Sequence, residues 1–330
     1  MSQDVFKGLD VGYSNLKVCW GTQGDAPQKT LLPAGAGPIE ELDEQISGGR
    51  VSGGEIVWAR QQRWVAGIDP RRLAYSRREL HQGYTETHAY QALAMAGIAQ
   101  SGKDSIRQLV SGLPVSIYKD REKRARLKSL LEGRHRVGKN RSVNVESVYV
   151  TMQPLGAFVE ASVGGADHDI LNEGRVAVVD AGYYSFDWTL IEGGAVKQSS
   201  AGTDMGAMSQ MVESINRLIR EEHQDSPGAD AIEDALRNSK RRILLHGEWL
   251  ALEPLLKTAR AAVAGRAVSA MRRAYRDERP VDLFILTGGG GEQYENALLE
   301  GYPQAKTYTS NDPAQANSVG FWYMAQQRAL

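Results

Sequence analysis

Residues 5–20 read Val5-Phe6-Lys7-Gly8-Leu9-Asp10-Val11-Gly12-Tyr13-Ser14-Asn15-Leu16-Lys17-Val18-Cys19-Trp20. An apolar strand, Val5–Val11, carries Asp10 at its end. A Gly-bearing turn over 12–15 leads into a second strand, Leu16–Gly21, in which Leu16, Val18 and Trp20 share one face and Lys17 and Cys19 the other. The second half repeats the pattern: Arg175–Asp180 is apolar and ends in Asp, Ala181–Ser185 is a turn, and Phe186–Ile191 is a second strand. Gly in each turn lets successive backbone N–H groups converge on one point, and such a concavity binds phosphate oxygens. An Asp at the strand end can hold Mg²⁺ through water, because that ion keeps much of its hydration shell. Ser14 or Ser185 can donate to a phosphate. One Asp-x-Gly turn alone is an ordinary hairpin. Two in the same register, each after an apolar strand, point to a shared ligand. Two related halves facing one another would set these turns on opposite sides of one cleft.

A third element is Leu286-Thr287-Gly288-Gly289-Gly290-Gly291-Glu292. Four glycines after an apolar strand let a flat ligand lie against the backbone, and a helix starting near Glu292 presents N–H groups there. No Gly-Lys-Ser/Thr follows, so this is not a Walker A loop, and the dinucleotide fingerprint is met only trivially.

Between these elements, Ala89–Ala99 is expected to be a buried helix and Ile106–Val115 a core strand ending at Leu113-Pro114. Lys119–Glu132 reads as a charged helix with Leu127, Leu130 and Leu131 inward. Val143–Val150 alternates as one strand, Pro154 and Gly156 interrupt, and a small-residue helix follows through Val163. Met205–Arg220 and Leu250–Tyr275 read as helices joined by polar, helical-looking sequence. Val281–Leu286 is a buried strand, and Pro313–Gln327 a closing helix with Pro near its first turn.

The chain has 330 residues, more than one hydrophobic core usually serves, so two domains are expected. Thirty-nine basic and forty acidic side chains nearly cancel, so no global charge drives the chain onto DNA or an anionic membrane. One cysteine excludes an internal disulfide and fits a reducing cytoplasm. Met1–Lys7 is too short and polar for a signal peptide. No run reaches the roughly 18 apolar residues of a membrane helix. The expected location is cytoplasmic, without a membrane partner.

The three glycine-rich elements, in this order and spacing, resemble the phosphate-1, phosphate-2 and adenosine motifs of the actin-like ATPases. Asp10-Val11-Gly12-Tyr13-Ser14-Asn15-Leu16-Lys17 is most similar to the plasmid-segregation actins of the ParM/StbA type, in which Ser-Asn-x-Lys is characteristic of the first turn. The compact length, Gly112-Leu113-Pro114-Val115, and the ending from Asp312 to Gly320 also have counterparts there. The resemblance implies an α/β fold of two actin-like domains, each a five-stranded mixed sheet flanked by helices, with a nucleotide cleft between. The domains would span 1–165 and 166–312, the second with an insertion at about 206–280, and 313–330 would return as a helix to the first.

It also implies roles. Asp10 would hold the Mg²⁺ shell, while Gly12, Tyr13, Ser14, Asn15 and Lys17 cradle the β- and γ-phosphates. Asp180 would orient the attacking water or bind hydrated Mg²⁺, with Gly182 and Ser185 on the phosphates. Gly288, Gly289 and Gly290 would take the adenosine. The family's water-positioning residue follows a strand near Pro and small residues, which assigns that role to Gln153. A neutral Gln orients water but is a poor base, which suits slow hydrolysis gated by assembly. The implied cofactors are Mg²⁺ and ATP, or GTP in its place. The implied partners are further copies of the chain in a filament, a small DNA-binding adaptor, and plasmid DNA only through that adaptor. One departure is Tyr183, where the family commonly has a second Gly; its ring would either crowd the phosphate or stack outward. That residue favours a competing reading, a non-catalytic scaffold of cell division or pilus assembly. A small-metabolite kinase of the same superfamily is the other, although no sugar-binding motif is present.

Other features have plainer readings. Residues 119–141 hold ten Lys/Arg and three Asp/Glu, a solvated helix face or a contact for nucleic acid, filament or adaptor. Arg71-Arg72 and Arg77-Arg78 read the same way. Cys19 is a core residue, the six His lack zinc spacing, and Arg237, Lys240 and Arg241 are expected on a surface helix of the insertion, with contact of one of them to nucleotide as the alternative.

Overall fold

In the computed structural model the described residues are 4–42, 54–59, 61–74, 81, 83–138, 140–205, 207–275 and 279–329. Arg77-Arg78 and the Arg237 side chain lie outside them. The chain divides into two compact units, Met1–His168 with Ser310–Leu330, and Asp169–Thr309.

The first unit opens with β1 (Phe6–Val11), β2 (Asn15–Gly21), β3 (Gln28–Pro33), β4 (Gly35–Pro38), β5 (Glu55–Ala59) and β6 (Gln62–Ile68). Then come α1 (His88–Ala99), β7 (Ser105–Ile106), β8 (Gln108–Leu113), α2 (Val115–Tyr118), α3 (Arg121–Leu131), β9 (Gly133–Arg136), β10 (Ser142–Val145), β11 (Val148–Met152) and α4 (Gln153–Gly164). The main sheet has five strands in the order β11-β8-β1-β2-β3. It is mixed: β1 pairs β2 antiparallel but β8 parallel. Odd positions of β1 and even positions of β2 (Leu9, Val11, Leu16, Val18) pack with Ala92, Leu93 and Ala96 of α1. The opposite parity is buried too, with Phe6 and Cys19 meeting Phe321 and Trp322 near the C-terminus. The alternation read in Leu16–Trp20 therefore separates two covered faces rather than core from solvent.

Two expectations fail in this unit. Val143–Val150 is two strands, because the apolar phase slips from Val143 and Val145 to Val148 and Val150 across Glu146-Ser147. β10 pairs β9 and β7, while β11 joins the main sheet beside β8. Pro154 and Gly156 do not interrupt α4; they lie in its first turn, where a missing N–H costs no intrahelical bond.

The second unit holds α5 (His168–Glu173), β12 (Arg175–Ala181), β13 (Ser185–Glu192), β14 (Ala195–Val196), β15 (Gly202–Met205), α6 (Ala207–His223), α7 (Ala229–Arg237), β16 (Arg242–Leu245), β17 (Glu248–Ala251), α8 (Glu253–Tyr275), β18 (Leu283–Thr287), α9 (Glu292–Gly301) and β19 (Lys306–Thr309). Its sheet order, β14-β13-β12-β18-β19, repeats that of the first unit, with β15 added on β13, so six strands stand where five were expected. Phe186, Trp188 and Val179 pack with Met211 and Ile215 of α6 and Val263 and Ala267 of α8. The sequence between the long helices is not simply helical: after α7 it forms the β16–β17 hairpin, so α8 starts at Glu253 rather than Leu250. His246 and Gly247 both have positive φ, 50° and 84°, as a two-residue hairpin turn requires.

The chain closes with α10 (Ala316–Arg328), which starts three residues after Pro313 and packs on β1, β8 and α4 of the first unit. The approach is close: a Cβ on Gly8 would fall 1.9 Å from Ser318 O, and one on Gly320 1.7 Å from Gly156 O.

Candidate functional site

In the first unit the site is built on the end of the β1–β2 hairpin. Register sets Asp10 directly across from Lys17. Both point to the face covered by α4 and α10, and Asp10 is fully buried. Lys17 Nζ lies 2.9 Å from Asp10 Oδ2. Gln153, the first residue of α4, donates from Nε2 to Asp10 Oδ1 at 2.8 Å. β11 delivers it there by running parallel to β8 with Met152 beside Leu113. Gly112 leaves the room, since a Cβ there would meet Gln153 Cγ at 2.9 Å. The carboxylate thus has a partner on each oxygen, as a buried charge requires.

The turn is closed by Gly12 N donating to Asn15 O at 3.0 Å. Tyr13 stacks on Tyr84 with centroids 4.5 Å apart, and the Tyr84 hydroxyl donates to Gly12 O at 3.3 Å. Ser14 O accepts from Ala34 N at 2.8 Å. Tyr84 is a turn-positioning residue that sequence reasoning missed: it lies in a polar segment with no periodicity to flag it. Behind it is Tyr90, whose hydroxyl is pushed up well above the usual tyrosine range by burial first, with the Asp10 charge adding to it.

In the second unit the β12–β13 turn has the same closure, Gly182 N to Ser185 O at 2.9 Å. Asp180 is buried, across from Asp187 on β13 and beside Thr287 on β18. The glycine loop rests on this turn. Gly290 N donates to Ala181 O at 2.9 Å. Gly288 has φ 80°, and a Cβ there would fall 2.4 Å from Ala181 O and 2.6 Å from Asp180 Oδ1. A Cβ on Gly289 would meet nothing within 4 Å. Gly291 leads into α9. The Tyr183 ring packs against the unit's own core, and its carbonyl accepts from Ser209 N at 2.7 Å.

Each unit therefore gathers its own candidates: Asp10, Gly12, Tyr13, Ser14, Asn15, Lys17 and Gln153 in the first; Asp180, Gly182, Ser185, Gly288, Gly289 and Gly290 in the second. The residues fit a nucleotide: glycines stand where side chains would fill the turns. No group of three His, Cys, Asp or Glu suited to a metal occurs among the described residues. The donor set suits Mg²⁺ carried mainly by water and phosphate, with one or two carboxylates. Lys240 pairs with Asp234 at 2.9 Å on the surface. In the basic stretch, Arg126 pairs with Glu86 and Arg141 donates to Ala99 O. Among the described residues no helix is long and apolar enough to cross a membrane.

Comparison with known proteins agrees with this architecture. Residues 8–156 match the family of actin-like protein N-terminal domains, and 178–300 match the C-terminal domain of archaeal MreB-like actin homologues. No curated protein matches the sequence. Among solved structures, the archaeal actin homologue Ta0583 is similar over 98% of this chain and 99% of its own, at 20% identity and a TM-score of 0.76. The same protein in complex with ADP gives 17% identity and 0.73 over 98% and 99%. A 15-stranded ParM filament from Clostridium botulinum gives 14% identity and 0.71 over 98% and 99%. With both halves matched in order and a duplicated sheet topology, the chain belongs to the actin-like proteins.

Proposed function

We propose that this chain is a Mg²⁺-dependent ATPase whose two Asp-bearing turns serve one nucleotide, and that nucleotide binding drives head-to-tail assembly into filaments that segregate plasmid DNA through an adaptor. The observation that carries the reading is the Lys17–Asp10–Gln153 cluster at the first glycine turn. A fully buried carboxylate in a hairpin end is costly, and this one is held by a cation and an amide beside a turn shaped for phosphate. The ADP complex of Ta0583 and the ParM filament support nucleotide binding and self-assembly by this fold.

Gly12, Ser14, Asn15 and Lys17 hold the β- and γ-phosphates, and Gly182 and Ser185 hold them from the second turn. The Lys17 ammonium is a point charge at the mouth of this turn, paired with Asp10. Asp10 and Asp180 would hold Mg²⁺, which would neutralise charge on the transferred phosphoryl group. Gln153 accepts a hydrogen bond from the attacking water with its amide oxygen while its nitrogen is fixed on Asp10, which orients the water without removing a proton. Gly288 to Gly290 lie against the adenosine.

Phosphate release and light scattering with ATP and with a non-hydrolysable analogue test this. ATP-dependent scattering that decays with hydrolysis is expected, and Asp180→Ala should abolish turnover while leaving the fold intact. A protein that stays monomeric at high concentration with ATP, or an Asp180→Ala variant with unchanged turnover, would overturn it. The half-buried Tyr183 ring packs against the core of the second unit, which supports hydrolysis over a scaffold without it.

A further inference from the structure

The two glycine turns are held in different ways. In the second unit backbone amides do it: Gly290 N donates to Ala181 O at 2.9 Å and Ser209 N to Tyr183 O at 2.7 Å. In the first unit two tyrosine hydroxyls reach in opposite directions between the turn and the segment ahead of α1. Tyr84 donates to Gly12 O at 3.3 Å, and Tyr13 donates to His81 O at 3.1 Å. Their rings stack between these bonds, 4.5 Å apart and 24° from parallel. Tyr84 is buried and meets the Tyr90 ring of α1 edge-on at 5.4 Å. Its carbonyl accepts from Thr87 N at 3.0 Å and from Thr87 Oγ1 at 2.9 Å, and Thr87 caps α1 by accepting from Tyr90 N at 3.2 Å. The same segment reaches the surface at Glu86, which pairs with Arg126 of α3 at 3.0 Å.

We propose that the Tyr13–Tyr84 pair is a latch through which phosphate bound in the first turn orders residues 83–90 and the start of α1. This rests on the nucleotide reading and gives that site a route to the surface at Glu86 and Arg126. The Tyr84 bond acts on one peptide group, Gly12–Tyr13. A trans peptide sends its C=O and N–H to opposite sides. Holding Gly12 O towards Tyr84 therefore turns the Tyr13 N–H to the other side of the turn. A phosphate accepting from that N–H polarises the peptide and makes Gly12 O a stronger acceptor, because hydrogen bonds in a chain reinforce one another. At 3.3 Å the Tyr84 contact is longer than the usual range of about 2.5–3.0 Å for O–H···O, so it has room to shorten. Tyr84 is a positioning residue: it acts through Gly12 and does not touch the ligand. The coupling is reciprocal, so a contact that orders the segment raises phosphate affinity by the same factor.

Amide hydrogen exchange of the full chain, with and without saturating Mg²⁺ and ADP, tests this. ADP should slow exchange across 83–90 about fivefold, the scale of one strengthened hydrogen bond. Tyr84→Phe keeps both rings and removes one donor. It should bind ADP about fivefold more weakly and, once saturated, show no slowing across 83–90; a fold defect alone would not erase the difference between its free and bound states. Tyr13→Phe, at a half-exposed ring, should lose the slowing too and decides the point if Tyr84→Phe does not fold. Adenosine, which has no phosphate, should slow nothing there. Slowing in the folded variant equal to wild type, equal slowing by adenosine, or no slowing in a wild type that binds ADP by calorimetry would overturn the latch and leave the nucleotide reading standing. A wild type that binds no ADP would overturn both.

Discussion

Gln153 Nε2 donates to Asp10 Oδ1 at 2.8 Å across 143 positions of sequence. The bond fixes the amide's orientation, so its oxygen points away from the carboxylate. A residue that orients water needs this kind of external constraint, because a free amide can turn over. Gln153→Ala is therefore expected to slow single-turnover hydrolysis about a hundredfold while ATP affinity changes little. Rapid-quench measurement of phosphate release decides the point; a rate within threefold of wild type removes Gln153 from the mechanism.

Lys17 faces the same carboxylate from the other side, 2.9 Å from Oδ2. Lys17→Met leaves Asp10 buried with a single neutral donor. Removing one partner of a buried pair costs about 3 kcal/mol or more. Urea unfolding should show that loss, and Lys17→Met with Asp10→Asn should recover most of it. If the double variant is no more stable than the single one, the pair is not what stabilises this end of the hairpin.

Local patterns carry much of this fold and less of the site. Strands β1, β2, β12 and β13 are visible because apolar runs, Asp and Gly recur within a dozen residues. Val143–Val150 reads as one strand because the slip in alternation between Val145 and Val148 is blurred by short strands of one apolar type. The His246-Gly247 hairpin went unread because Gly after His is a weaker turn signal than Gly after Asn, and the flanking residues suit helix as well. The glycine turns are local, so their candidates could be named from sequence. The meeting of Gln153 with Asp10 is not: it depends on β11 lying parallel to β8 and on the absence of a side chain at Gly112. Tyr84 reaches Gly12 O across 72 positions from a polar segment with no periodicity, so its contact is not legible locally either.

Lys7 gives a pH dependence with a definite sign. It is fully buried in β1, and its Nζ donates to Gly97 O at 2.9 Å and Ile98 O at 2.8 Å near the end of α1. Burial first, and then the Arg141 charge, lower its pKa from 10.5 to about 7. Between these values the unfolded chain holds a proton that the folded chain lacks, so stability should rise as pH goes from about 7 towards 10.5. A neutral amine still has two N–H groups for both carbonyls. Lys7→Met should lack this rise. The measurement is the difference in urea midpoint between the two proteins from pH 6.5 to 10; parallel curves would refute it.

The α4–α10 crossing is sensitive to a single methyl. A Cβ on Gly320 would fall 1.7 Å from Gly156 O, a backbone atom that cannot rotate away. Gly320→Ala must push α10 off α4, which carries Gln153 at its start. We expect a loss of about 2–3 kcal/mol together with weaker ATP hydrolysis. Thermal unfolding of Gly320→Ala and of Gly265→Ala, where a Cβ meets nothing within 4 Å, provides the comparison. Equal midpoints would mean the crossing adjusts without cost.

The glycine loop offers a way to separate folding from binding. Gly288 has φ 80° and no room: its Cβ would strike Ala181 O and Asp180 Oδ1. Gly288→Ala should destabilise the protein by about 2 kcal/mol, combining left-handed strain with a clash, and should lower nucleotide affinity as Asp180 shifts. Gly289 is different, because a methyl there enters open space. Gly289→Ala should leave stability unchanged, within about 0.5 kcal/mol. If adenosine lies flat on this loop, that same methyl stands where the ring must go, and affinity should fall tenfold or more. Calorimetric titration with ADP, beside a melting curve for each variant, reads both quantities. A Gly289→Ala protein that binds ADP as tightly as wild type would move the adenosine away from this loop, whatever Gly288→Ala does.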